Sequence, residues 1–183
     1  DLQKADVKDL AAKFGTTGLW LHNLSWGRDS RTISPDGERK SISAETTFDA
    51  DVADAATLKK ILWSLCERVH ARSRSQGMGG RTVTLKLKTS DFQTITRRQQ
   101  APRPTQSADV MYDCGLNLLR PELGTAKYRL IGIGLSDLTA EENCDQSDLF
   151  SEAPRKKLSA ERAVDAVRAK FGAKSIGKGR SLL

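Results

Sequence analysis

The chain has little of what small-site chemistry or membrane insertion depends on. It has two histidines, His22 and His70, and three widely separated cysteines, Cys66, Cys114 and Cys144. No Cys/His spacing resembles a zinc site. An odd, scattered set of cysteines argues against a disulfide framework and for a reduced, cytosolic setting. No apolar run approaches the length of a bilayer span and no secretory signal opens the chain, so no insertion into a membrane is expected. Aromatic residues are only 5% of the sequence, which disfavours a surface that works by stacking single-stranded bases. Gly77, Gly79 and Gly80 form a glycine-rich stretch, but it precedes a strand pattern. A phosphate-cradling loop precedes a helix, so this stretch reads as a turn. Asp49, Asp51 and Asp54 lie close together, and a helix start enriched in carboxylates accounts for them better than a metal. No set of nucleophile, base and orienting group emerges, and no catalytic residue, metal or cofactor is expected in this chain.

What the chain does have is a core and positive charge. Of 183 residues, 38% are hydrophobic, enough for one ordinary domain with appendages. The formal net charge of +7 favours a nucleic-acid or anionic-membrane partner and says nothing of fold. The sequence begins with Asp1 rather than Met, which suggests further chain upstream.

Residues 1–30 read as two short helices. Asp6 caps the first, which carries Leu10 and Phe14 to Gly15; the second carries Leu19, Trp20, Leu21 and Leu24 to Gly27. Two such helices cannot bury Trp20 and Trp26 alone and are expected to belong to a larger helical unit. Residues 31–39 form a polar linker around Pro35 and Gly37. Residues 40–48 alternate, with Ile42, Ala44 and Phe48 on one side and Ser41, Ser43 and Glu45 on the other. Asp54 caps a long helix whose stripe is Leu58, Ile61, Leu62, Leu65 and Val69; Trp63 lies off it, at a rim or a contact with another domain. A further helix spans about 107–119, with Val110, Met111, Cys114 and Leu118 inward, and 128–138 is an apolar strand.

Between the two helices lies the most informative stretch, RTVTLKLKTSDFQTITRRQQ at 81–100. Val83, Leu85 and Leu87 alternate with Thr82, Thr84, Lys86 and Lys88, a turn follows at Thr89, Ser90 and Asp91, and the chain returns to Arg97, Arg98, Gln99 and Gln100. Phe92 and Ile95 do not share a parity, so a bulge or turn position is expected near Phe92. Residues 101–105, with two prolines, read as a loop. By composition the hairpin is a polar strand pair, either anion-binding or merely solvated. The element order is β-α-β-β-α-β. It predicts an α+β domain at 40–139, a four-stranded antiparallel sheet with two helices on one face and the other face open.

The strings KSISAETTF (40–48), RTVTLKLKTSDFQTITR (81–97) and YRLIGIGLSDL (128–138), with the helix after Asp54, resemble the little-finger domain of Y-family translesion DNA polymerases of the DNA polymerase IV type. Residues 1–31 resemble the end of that family's helical thumb. The resemblance implies that the open sheet face grips the template-primer duplex through its backbone, with Lys86, Lys88, Thr94, Thr96, Arg97 and Arg98 as contacts and Ser41 and Ser43 beside them. It also implies that the acidic palm, with the Mg2+ ions for nucleotidyl transfer, lies outside this chain, which alone should not polymerise. The family usually has Arg where this chain has Thr46, and an Arg-Ser-Arg-Thr pattern where it has Arg97, Arg98, Gln99 and Gln100. One backbone-contacting arginine is therefore displaced or lost.

In residues 140–151, Gln146, Leu149 and Phe150 match the Gln-x-x-Leu-Phe form of peptides that bind bacterial sliding clamps. In that reading Gln146 bonds at the pocket edge, and Leu149 and Phe150 fill it as anchors. A bacterial, cytoplasmic, monomeric polymerase portion with DNA and a clamp as partners is the expectation. Residues 152–183 are a basic tail with a helix from about Ser159 to Gly172, carrying Ala163, Val164, Val167 and Phe171 as its apolar stripe. The competing expectation is an RNA-binding module of the same element order, which would stack bases on aromatics of the central strands.

Overall fold

Period-two alternation builds four strands, and capped amphipathic stretches build the helices between them. The computed structural model describes residues 1–32, 38–145, 152–172, 175–177 and 179, with backbone only for 152–159 and 162. The chain forms two compact units, Asp1–Glu38 and Arg39–Leu183.

The first unit holds α1 (Val7–Phe14) and α2 (Thr16–Ser25). The Asp6 carboxylate caps α1 by accepting from the Lys8 amide at 2.7 Å. Leu10 packs against Gly18, where any side chain would strike the Leu10 carbonyl. Phe14, Leu19, Trp20 and Trp26 remain exposed.

The second unit runs β1 (Ser41–Val52), α3 (Ala55–Ser75), β2 (Met78–Thr89), β3 (Thr94–Thr105), α4 (Ala108–Leu119), β4 (Tyr128–Ala140) and α5 (Glu152–Phe171). The strands form one antiparallel sheet in the order β1-β4-β2-β3, the α+β arrangement expected. Asp54 caps α3 through the Thr57 amide at 2.7 Å, and Gly77, at φ +60, ends it where an L side chain is disfavoured. One sheet face carries Ile42, Ala44, Val83, Leu85, Leu87, Ile131, Ile133 and Leu135, all buried beneath α3 and α4. Each such large side chain contributes roughly 1.5–3 kcal/mol on burial.

The structure corrects several expectations. Trp63 is fully buried, edge-on to Tyr112 of α4 with ring centroids 5.4 Å apart, because α3 is covered by α4 as well as by the sheet. β2 begins at Met78, not 81, so Gly79 and Gly80 belong to a strand; a Cβ on either would lie 2.6 Å from a carbonyl of Thr105 or Ser136. Residues 101–105 extend β3 rather than forming a loop, and Pro102 and Pro104 are tolerated because β3 is an edge strand.

α5 starts earlier than Ser159, and its apolar stripe is only partly covered: Val164 and Val167 are half-buried and Ala163 is exposed, while polar side chains make its hydrogen bonds to the domain. Phe171 is 66% exposed. The buried Glu161 carboxylate accepts from the Ser107 hydroxyl at 3.0 Å and the Asp109 amide at 3.3 Å, at the start of α4. Asp165 meets His70 Nε2 at 3.0 Å, while His70 Nδ1 meets the Gln106 carbonyl at 2.7 Å. Arg168 pairs with Glu67 at 2.8 Å.

Candidate nucleic-acid interface

The uncovered face of the sheet is built in rows, because antiparallel partners point the same way. One row reads Ser41, Ser136, Thr82, Gln100; the next Ser43, Gly134, Thr84, Arg98; then Glu45, Gly132, Lys86, Thr96; then Thr47, Leu130, Lys88, Thr94. Of the eight expected backbone contacts, seven therefore share this face: Ser41, Ser43, Lys86, Lys88, Thr94, Thr96 and Arg98.

Arg97 does not share it. It lies opposite Leu85, on the helix-covered side, and pairs with the largely buried Glu122 at 2.8 Å. The turn residues Ser90–Gln93 fix the parity of β3, and that parity sends Arg98 outward and Arg97 under the sheet edge. Thr46 also points away from the open face, opposite Ile131.

Sequence reasoning passed over two glycines. Gly132 and Gly134 lie two apart on β4 and so present bare backbone in the middle of the face. A Cβ at Gly132 would come within 2.8 Å of Glu45 Cβ, and one at Gly134 within 2.8 Å of Ser43 Cβ. Their absent side chains leave a groove of about 290 Å³ lined by Ser41, Ser43, Thr84, Lys86 and Arg98. The period-two spacing in LIGIGL was the available signal. Gly132 also lets Lys86 Nζ and Glu45 Oε2 meet across β4 at 2.9 Å. Glu45 is thus an acid within a hydroxyl-rich surface that also carries Lys86, Lys88 and Arg98. A second acid, Asp137, accepts from the Thr82 hydroxyl at 2.5 Å and carries a φ of +53.

The hairpin end of the face is tied down. Phe92, at φ +67, donates its amide to the Thr89 carbonyl at 3.0 Å, and the Ser90 amide donates to the Lys127 carbonyl, just before β4, at 3.0 Å. The turn position expected near Phe92 is Phe92 itself. Chemically, the face offers hydroxyls, ammonium and guanidinium groups and open backbone, which suit phosphate oxygens. Its central strands, β2 and β4, put no aromatic residue outward.

Gln146, Leu149 and Phe150 lie outside the described residues. Just before them, Asp145 is anchored to β3: its carboxylate accepts from the Thr105 hydroxyl at 2.5 Å and the Gln106 amide at 2.9 Å. Among the described residues there is no cluster of three or more His, Cys, Asp or Glu that could hold a metal, and no helix long and apolar enough to cross a membrane.

The model of the impB/mucB/samB family C-terminal domain matches residues 39–149, the sheet and its two helices, and the chain belongs to that family. It is 46% identical over 178 residues to DNA polymerase IV 1 of Mesorhizobium japonicum, which covers 97% of this chain and 41% of the relative. It is 43% identical over 182 residues to DNA polymerase IV of Caulobacter vibrioides, covering 100% of this chain and 45% of that one. The Brucella melitensis DNA polymerase IV is 42% identical over 178 residues, or 97% and 40%. The chain thus spans under half the length of these relatives. The resemblance to polymerases of the DNA polymerase IV type, first carried by three strand sequences, extends over nearly all of it.

Proposed function

We propose that this chain is the DNA-gripping part of a Y-family translesion polymerase, holding the template-primer duplex by its sugar-phosphate backbone on the open sheet face. Catalysis of nucleotidyl transfer, and the Mg2+ it needs, belong in this reading to a palm outside these residues. The observation that carries it is the row pattern of the face. Hydroxyls and cations surround a glycine-floored groove, so phosphates can approach backbone and side chains together. Such contacts position a protein without reading sequence, which suits an enzyme that moves along its template. The lack of outward aromatics on β2 and β4 favours this over single-stranded RNA, whose recognition relies on stacking. Competition between a primer-template duplex and a single-stranded RNA of equal length tests it. The duplex should win; preference for the RNA overturns the assignment.

In the same reading, Gln146, Leu149 and Phe150 tether the polymerase to a bacterial sliding clamp. Replacing Leu149 and Phe150 with Ala should abolish clamp binding and leave duplex affinity intact. Unchanged clamp affinity would remove the tether from the proposal.

A further inference from the structure

Several basic side chains of this fold face a carboxylate: Lys86 faces Glu45, Arg97 faces Glu122, Arg74 faces Glu141 and Arg168 faces Glu67. Two others meet at one aromatic ring instead. Lys88 Nζ lies 5.3 Å, and the Arg129 guanidinium 3.9 Å, from the centroid of the Phe92 ring, and among the described residues neither has a carboxylate partner. The ring that gathers them is itself held at a cost. Phe92 is 60% exposed and sits at φ +67, a region that disfavours a bulky side chain.

Arg129 reaches the ring because β4 is irregular there. Lys88 pairs with Leu130 and Thr89 with Tyr128, so Arg129 is the extra residue of a bulge, a device that re-aims a side chain. The turn is then fixed by the Thr89 amide to the Gln93 carbonyl at 3.0 Å, by the Gln93 amide to the Thr89 hydroxyl at 3.1 Å, and by a bond between the Thr89 hydroxyl and Asp91. A strained, exposed aromatic and a bulge converge on two cations at the end of the face proposed to hold DNA.

We propose that Lys88, Arg129 and Phe92 form a separate phosphodiester-binding corner, in which the ring positions both cations toward one strand of the duplex. The proposal rests on the reading of the open face as the DNA-binding surface. Arg129 becomes a phosphate contact, and Phe92 a positioning residue that acts through it. Cation–π contact holds a guanidinium without neutralising it, so its charge stays available to a phosphate.

Duplex binding by the full chain, measured across a salt series, tests this with Arg129→Gln, Phe92→Gly, their double variant and Arg98→Gln. Glycine accepts the φ of residue 92, so Phe92→Gly should melt at the same temperature or higher. Arg129→Gln should weaken binding roughly three- to tenfold and lower the salt slope by about one, the signature of one lost phosphate contact. Phe92→Gly should weaken binding in the same sense, and by less once Arg129 is already Gln. Wild-type affinity and slope in both single variants, with Arg98→Gln still weakened, would make the corner a structural turn only. A lowered melting point with unchanged binding in Phe92→Gly would do the same. If Arg98→Gln is also unaffected, the DNA-binding face itself is wrong.

Discussion

Glu45 is the residue least suited to a surface for anions, and its position makes a sharp prediction. Its pair with Lys86 spans Gly132 at 2.9 Å and is solvent-exposed on both sides, so DNA must compete with it for the ammonium group. Glu45→Gln should tighten duplex binding by up to about fivefold, in line with the roughly 0.2–1 kcal/mol of an exposed pair. Weaker binding in a fluorescence-anisotropy titration would contradict this. Arg97 and Arg98 separate two roles that adjacent letters hide. Arg97→Gln leaves the buried Glu122 without its guanidinium and should lower the melting temperature while leaving the salt slope alone. Arg98→Gln should do the reverse. Clean alternation on β1 and β2 made Ser41, Ser43, Lys86 and Lys88 legible as one face. Thr94, Thr96, Arg97 and Arg98 were carried over from the resemblance alone, and Arg97 proves to face the other way because the parity of β3 depends on a turn residue with positive φ, which alternation does not encode. Gly132 and Gly134 were hidden for a different reason: an absent side chain leaves no polarity signal, only space.

At the scale of elements, α5 and the caps carry the testable claims. Glu161→Ala would remove the acceptor that α5 offers to the Ser107 hydroxyl and the Asp109 amide, and should destabilise the domain by about 1–2 kcal/mol in urea unfolding. No change would mean that the Glu161 contacts contribute nothing to the fold. The Asp54 carboxylate is held below the ordinary carboxylate range by its hydrogen bond to Thr57. Its native value is the depressed one, so its contribution is present above the unfolded value near pH 4. It is lost as the pH falls through the native value. Asp54→Ala should therefore lower the melting temperature at neutral pH and matter progressively less in acid. The helices and strands were largely legible from caps, periodicity and glycine stops. α5 was legible as a helix but not in its mode of docking, since the buried Glu161 meets Ser107 54 positions away and Asp165 meets His70 95 positions away. The edge position that admits Pro102 and Pro104 into β3 likewise exists only once the sheet is assembled.

For the whole molecule, the order β1-β4-β2-β3 puts two strands with outward small and polar residues at the centre and the strand bearing Arg98 at one edge. One face is thereby given to the core and the other to a charged ligand. Burial pushes the Cys66 thiol well above its ordinary range, so it should resist maleimide until the domain unfolds globally. Labelling of Cys66 then reports the fold separately from the ligand. A backbone grip without sequence readout is tested by the salt dependence of duplex affinity in the wild-type chain and in a Lys86→Gln, Lys88→Gln, Arg98→Gln triple variant, each on two unrelated duplex sequences. Both sequences should bind with equal affinity, log affinity should fall linearly with log salt, and the slope should be lower by about two to three in the triple variant. An unchanged slope, with Cys66 still protected, would contradict it.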